Sequence, residues 1–343
     1  MNSNFYVVIM AGGSGTRLWP KSRIKKPKQL YALINNESMI KNTVKRVLPV
    51  VPKENIYIAT NALQAKAIVK ELPDFKNNLI KESAIRNTAP CIALATTYLK
   101  DKAETIAFLP ADHYIGKEKE FQKVLQKAFE IARKDYLTLI GIRPTDPDTG
   151  LGYIKIKSEI RNPKSETKDF FEVEKFVEKP DLTTAKKYLA SGQYLWNGGM
   201  FIAKPEIILN LFKKHAPKIL QRLTKNYEKL PNISFDYAIA EKANRVAVVA
   251  GDFAWSDIGN WGKLLTMLSK KGTDNIVVGC EHYGVDTDGC LIHGTEKLVA
   301  TVGLKNIIVV DTPDVVLVCE KSKAQDVRKI VEKLKKEKKN HYL

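Results

Sequence analysis

The sequence predicts an α/β protein, with a mixed, mostly parallel sheet flanked by helices, then a small C-terminal β appendage and a terminal helix. Three observations carry this. In the N-terminal half, apolar runs suited to buried strands alternate with stretches of helical period, the order that builds a sheet covered on both faces. The connections between those runs are long enough to be right-handed βαβ units. Beyond residue 270 the runs shorten and turn residues separate them, the pattern of a small β region.

Phe5–Met10 is a continuous apolar run, the mark of a strand buried on both faces, and residues 12–17 form a Gly-rich loop directly after it. A helix is predicted over 38–47, a strand over 56–60, a helix over Thr88–Leu99, and strands over 105–109 and Leu137–Ile142. Between the last two, Phe121, Val124, Leu125, Ala128, Phe129 and Ala132 recur at helical spacing. Further on the strands shorten, as at Tyr153–Ile156 and 173–177, and Asp181 opens a helix as its N-cap. This first part has a Rossmann-like order. A break at Lys270-Lys271-Gly272-Thr273-Asp274 divides the chain into 1–270 and 271–343. In the second part 275–278, Leu291–His293, 298–302, 306–311 and 315–319 read as strands. Ala324, Val327, Ile330, Val331 and Leu334 then form the apolar stripe of an amphipathic helix.

With 44% apolar residues among 343 and only 4 cysteines, the chain is neither disordered nor a disulfide-stapled miniprotein. Cys91, Cys280, Cys290 and Cys319 lack metal-ligand spacing and read as reduced, mostly buried thiols, with no structural metal expected. No apolar stretch approaches the roughly 20 residues of a membrane helix, and the N-terminus lacks a basic leader, so a cytoplasmic protein without a membrane partner is expected. The formal charge is +18, from 56 Lys+Arg against 38 Asp+Glu. Residues 321–343 hold nine of the basic and three of the acidic residues, and this excess reads as the solvated face of the terminal helix.

The chemistry begins at Ala11-Gly12-Gly13-Ser14-Gly15-Thr16-Arg17-Leu18, directly after the first strand. Glycines let the backbone turn sharply and approach an anion, so its N–H groups can cradle phosphate. The loop is not a P-loop, lacking a following Gly-Lys-Ser/Thr, and Leu18 replaces the third glycine of a dinucleotide fingerprint. Arg17 and Lys28 add positive charge nearby. Asp112 follows the strand at 105–109, and ligands of open α/β sheets bind beyond the carboxyl ends of strands. Asp257 lies between two tryptophans in a Gly-containing turn. Carboxylates so placed suit Mg2+, which takes oxygen ligands and retains water and phosphate in its shell.

Read together, Gly12 through Pro20, Ser22-Arg23 and Pro27-Lys28-Gln29 resemble the signature of the sugar-phosphate nucleotidyltransferases, within them the mannose-1-phosphate guanylyltransferases. Further matches follow in order at Arg86-Asn87-Thr88-Ala89-Pro90, Leu109-Pro110-Ala111-Asp112-His113, Thr149-Gly150-Leu151-Gly152-Tyr153-Ile154, Phe176-Val177-Glu178-Lys179-Pro180, Trp196-Asn197-Gly198-Gly199-Met200-Phe201 and Trp255-Ser256-Asp257-Ile258-Gly259-Asn260-Trp261. The resemblance covers nearly the whole chain. Two positions depart from it: Leu30 stands where Phe is common, and Gly198 where Ser is usual, which removes a hydroxyl donor from the expected sugar contacts.

The resemblance implies that GTP and mannose 1-phosphate give GDP-mannose and pyrophosphate by in-line attack on the α-phosphorus. In that reading Gly12, Gly13, Ser14, Gly15 and Thr16 hold the nucleotide phosphates, with Glu82, Asn87 and Thr88 beside the base. Arg17, Lys28 and Lys179 neutralise phosphate charge. Gly152, Glu178 and Asn197 meet the sugar hydroxyls, and Asp112 and Asp257 hold Mg2+. His113 is read as a packing residue outside the site. A homodimer is compatible with this reading, and no nucleic-acid partner is expected. Other readings are a nucleoside diphosphate-sugar pyrophosphorylase of different base or sugar, or a non-catalytic regulatory protein whose basic tail binds phosphate chains.

Overall fold

Strand β1 (Phe5–Met10) owes its continuous apolar run to parallel neighbours on both sides. It pairs with β2 (Ile56–Asn61) and β4 (Thr105–Pro110), and β3 (Leu79–Glu82) extends the parallel array beyond β2. Val7, Val8 and Ile9 have no solvent exposure. The computed structural model describes residues 4–13, 15–157, 170–269 and 271–343. Ser14 of the phosphate-loop assignment and Lys270 of the proposed break lie outside the described residues.

The remaining strands are β5 (Tyr114–Ile115), β6 (Leu137–Ile142), β7 (Tyr153–Ile156), β8 (Phe171–Val177), β9 (Tyr194–Ala203), β10 (Val246–Gly251), β11 (Trp255–Ser256), β12 (Ile276–Val278), β13 (His282–Val285), β14 (Leu291–His293), β15 (Val299–Val302), β16 (Ile307–Asp311) and β17 (Val316–Glu320). The helices are α1 (Met39–Val47), α2 (Ala62–Glu71), α3 (Thr88–Leu99), α4 (Glu118–Ala132), α5 (Leu182–Ser191), α6 (Pro205–His215), α7 (Pro217–Arg222), α8 (Phe235–Ala238), α9 (Trp261–Leu268) and α10 (Val327–Lys336).

Two compact units form, each discontinuous in sequence. The first comprises Met1–Gly12, Ile40–Ala111 and Ile115–Trp255; the second comprises Gly13–Met39, Asp112–Tyr114 and Ser256–Leu343.

A nine-stranded sheet of order β3-β2-β1-β4-β9-β6-β10-β8-β7 dominates the first unit. Strand β9 runs antiparallel to β4 and β6, while β10 runs parallel to β6. The α4 stripe is buried at Phe121, Leu125, Ala128, Phe129 and Ala132, as its spacing predicts, and Asp181 caps α5 by accepting from Thr184 N at 2.8 Å. Strands β3, β9 and β10 and helices α2 and α6 are not evident from apolar patterning. For β9 the reason is physical: Asn197-Gly198-Gly199 reads as a turn, yet it occupies the sheet centre, with the β6 register shifting between Leu139 and Gly141. A Cβ on Gly198 would lie 2.7 Å from the Ile140 carbonyl oxygen. The missing side chain at 198 therefore permits close strand packing.

In the second unit β12, β14 and β16 pair in parallel, β13 pairs with β15, and β17 closes β16 antiparallel. Successive strands thus alternate between two small sheets, so each parallel crossover is a strand and not a helix. Leu18, Trp19, Leu33 and Met39 share one core with Ile258, Trp261, Leu264, Leu291, Ile308 and Val310. The Trp261 indole N–H donates to the Trp19 carbonyl at 2.9 Å, which satisfies a buried polar group. Val327 and Val331 of α10 are buried, with Ala324 just ahead, but Ile330 is exposed, so the apolar stripe is narrower than predicted. Among the described residues no helix is long and apolar enough to cross a membrane.

Candidate functional site

Within the second unit, the Gly-rich loop meets the turn after β11. Gly15 has φ +61°, a left-handed conformation natural to glycine, and a Cβ there would come within 2.6 Å of Lys28 Cβ. Thr16 to Leu18 form one helical turn, and Gly13 is exposed with nothing near its Cβ position. Gly15, Arg17, Lys28, Asp112, Asp257 and Gly259 line a cavity of about 130 Å³. Among the described residues Arg17 has no ion-pair partner, so its guanidinium is available to an anion. Leu30, which stands where Phe is common, is buried.

Lys28 is only 4% exposed and donates to three oxygens: Asp112 Oδ2 at 2.9 Å, the Asp112 carbonyl at 2.7 Å and the Asp257 carbonyl at 2.6 Å. An ammonium has three protons, so all are committed, and what Lys28 offers the cavity is charge and not a free donor. Asp257 Oδ1 accepts from Lys263 Nζ at 2.8 Å. Desolvation alone would raise both carboxyls. The Lys28 charge, with help from His113, more than offsets it at Asp112, and Lys263, Lys28 and His113 do so at Asp257, so both stay below the ordinary aspartate value. His113, read from sequence as outside the site, lines the cavity.

A divalent cation fits this donor set. Each carboxylate offers one oxygen beside the one a lysine occupies, Asp112 is 38% exposed, and both face a small polar cavity. Among the described residues no group of three or more His, Cys, Asp or Glu gathers for a metal. Two hard carboxylates with water and phosphate completing the shell is the pattern of Mg2+, which seldom uses a full protein cage.

In the first unit, Glu82 ends β3 and is buried. Tyr227 Oη donates to Glu82 Oε1 at 2.5 Å, while Oε2 lies 2.9 Å from where a Cβ on Gly12 would stand. Burial raises the Glu82 carboxyl despite the hydrogen bonds from Tyr227 and Cys91. Asn87, at φ +69°, caps α3 by accepting from Thr88 N at 2.8 Å, and Thr88 Oγ1 accepts from Phe235 N at 2.8 Å. Helix capping and the Phe235 contact therefore already use groups that the sequence assigns to the base.

Also in this unit, Glu178 and Lys179 form an ion pair in which Glu178 is 7% exposed and Lys179 54%, so the pair is buried at one end. Lys179 holds φ +48°, a conformation uncommon for a residue with a side chain and characteristic of constrained sites. A Cβ on Gly152 would collide with Glu178 Oε2, so glycine is required beside this carboxylate. Asn197 N donates to the Gly152 carbonyl at 2.8 Å, which ties the three sugar-assigned residues together. Asn197 Nδ2 donates to Asp236 Oδ1 at 2.7 Å. Asp236, Lys263 and Tyr227 were not among the residues read from the sequence. Tyr227 and Asp236 stand 145 and 39 positions from their partners, and no local motif marks them; Lys263 is only six positions from Asp257, just past the Trp255–Trp261 motif.

The nucleotidyl transferase family profile matches residues 6–273, and the profile of the MannoseP isomerase/GMP-like beta-helix domain matches 280–334. A Salmonella montevideo protein named mannose-1-phosphate guanylyltransferase is 36% identical, over 98% of this chain and 75% of its own length. An Escherichia coli K12 protein of the same name is 36% identical over 97% of this chain and 74% of its own. A crystal structure from Thermus thermophilus, named mannose-1-phosphate geranyltransferase, superposes with TM-score 0.88 at 35% identity, covering 97% of this chain and 99% of that one.

Proposed function

The chain belongs to the nucleotidyl transferase family, and on that premise we propose that it converts GTP and mannose 1-phosphate to GDP-mannose and pyrophosphate. The observation that carries the reading is the convergence of Arg17, Lys28, Asp112 and Asp257 on one small cavity behind a Gly-rich loop. This is a set of groups suited to phosphates and a cation, without a nucleophile–base pair.

That composition matches the chemistry. A phosphate monoester is already anionic, so its oxygen attacks the α-phosphorus without a strong general base, and catalysis reduces to holding repelling anions in line. Arg17 and the backbone N–H groups between Gly13 and Thr16 hold the leaving pyrophosphate. Lys28 fixes Asp112 and the Asp257 backbone and lends charge to the triphosphate. Lys179 neutralises the attacking phosphate, and Glu178, Asn197 and the Gly152 backbone take the sugar hydroxyls. Glu82, Asn87 and Thr88 flank the base. A divalent cation, Mg2+ in this reading, would be held by Asp112 and Asp257 and would supply neutralisation of phosphate charge. The sequence division into 1–270 and 271–343 is proposed as the domain assignment on the bounds of the two family matches, while the compact units differ from it in assigning Gly13–Met39, Asp112–Tyr114 and the chain from Ser256 on to the second unit.

Pyrophosphate release measured across the four nucleoside triphosphates and several hexose 1-phosphates tests the reading. GTP with mannose 1-phosphate should exceed ATP by at least about a hundredfold in kcat/KM, the scale set by one or two buried unpaired groups. Equal rates with ATP and GTP would remove the guanylyl assignment.

A further inference from the structure

Asp236 lies in the short helix α8 (Phe235–Ala238), whose start is held by Ser234 as cap and by Phe235 N donating to Thr88 Oγ1. The carboxylate accepts from Asn197 Nδ2 at 2.7 Å, while Asn197 Oδ1 accepts from Gly199 N at 3.0 Å. Gly199 is at φ +64°, which turns its N–H back onto the amide. The Asn197 side chain is thereby fixed in one orientation, nitrogen toward Asp236 and oxygen toward Gly199. Of its two N–H donors one is used and one remains.

The carboxylate has a marked electrostatic environment. Burial and the nearby charge of Glu178 push its carboxyl up to about 6, with Asn197 and Lys179 offsetting only part. A hydroxyl donor from a ligand would stabilise such a group.

We propose that Asp236 is a specificity-determining residue of the hexose 1-phosphate site: its second oxygen accepts from one sugar hydroxyl, and its first aims the remaining Asn197 N–H at the same sugar. The proposal rests on the placement of the sugar beside Gly152, Glu178 and Asn197.

The test compares wild type with Asp236→Ala, using GTP, mannose 1-phosphate and its 2-, 3-, 4- and 6-deoxy analogues. Wild type should lose at least about tenfold in kcat/KM on one analogue, the cost of leaving a charged acceptor unpaired. In Asp236→Ala that penalty should shrink below about threefold, because the partner is already gone, and KM for GTP should stay within about threefold. Asp236→Asn keeps an acceptor for Asn197 and should show a smaller shrinkage of the same penalty; it carries the comparison if the alanine variant does not fold. A variant that retains every wild-type penalty, or that loses GTP and sugar affinity alike, overturns the proposal, since a purely structural role predicts both. Absence of turnover by wild type with any hexose 1-phosphate would refute the functional reading itself, and the proposal with it.

Discussion

Lys28 and Asp112 form an asymmetric ion pair: the ammonium is 4% exposed and the carboxylate 38%, at 2.9 Å. The lysine is a buried post, and the aspartate keeps one face toward the cavity.

Lys28→Met should therefore lower turnover at least about a hundredfold and cost on the order of 1–3 kcal/mol in stability, less than a fully buried pair because Asp112 is partly solvated. Lys28→Arg should not rescue activity, since three acceptors within 2.9 Å converge on one nitrogen, which suits an ammonium and not a planar fork. Urea unfolding and pyrophosphate release measure the two effects; a fully active arginine variant would count against the assignment.

Asp112→Asn and Asp257→Asn should each reduce turnover by about a hundredfold or more, the scale of losing one preorganised electrostatic element. Chelation of divalent cations should abolish turnover of the wild type. Near-normal rates in both folded variants would remove the metal assignment.

Gly13 and Gly15 should respond differently to alanine. Gly15→Ala meets both a positive φ and the Lys28 side chain, so it should destabilise by about 1–2 kcal/mol and impair turnover. Gly13→Ala has open space, so thermal stability should hold while turnover falls if phosphate approaches that backbone. Unchanged kinetics in Gly13→Ala would argue against phosphate contact at that residue.

Two buried groups give stability opposite dependences on pH. The Asp236 carboxyl is raised from 3.8 to about 6, so the native state favours its protonated form. Its contribution is full below 3.8 and is lost as pH rises through 6. Asp236→Asn should thus stabilise the ligand-free protein at pH 8 by on the order of 1–3 kcal/mol, and the gain should vanish near pH 3.5. A gain that persists unchanged at low pH would contradict the electrostatic origin.

His293 behaves in the reverse sense. It is 1% exposed beside Trp261, no partner meets either ring nitrogen among the described residues, and burial aided by the Lys21 charge lowers it from 6.5 to about 4. The native state excludes the proton, so stability is full above 6.5 and falls as pH drops through that value toward 4. Replacement by Phe should flatten this acid limb; an unaltered limb in chemical denaturation would place its origin elsewhere.

Much of the architecture and most of the site residues are legible in the chain because their signals are local. A buried strand announces itself by a continuous apolar run, an anion loop by glycines directly after it, and a helix by a cap such as Asp181, each within a few residues. Arg17 lies in that loop and Asp112 directly follows a strand, whereas Lys28 and Asp257 are marked by the ordered motifs of the family resemblance. The central strand β9 is not legible in the same way, because Asn197-Gly198-Gly199 has turn chemistry and only neighbouring strands hold it extended.

Partnership belongs to the packed fold. Tyr227 reaches Glu82 across 145 positions, Lys28 reaches Asp112 across 84 and Asp236 reaches Asn197 across 39. A residue's type shows what it can bind, but a hydrogen bond needs its partner within about 3 Å, and over such separations strand order and packing alone set that distance. So the chain states which chemistry it carries, and the folded units decide that Lys28 commits its protons to Asp112 and the Asp257 backbone, that Glu82 answers to a tyrosine, and that Asp236 stands beside Asn197 at all.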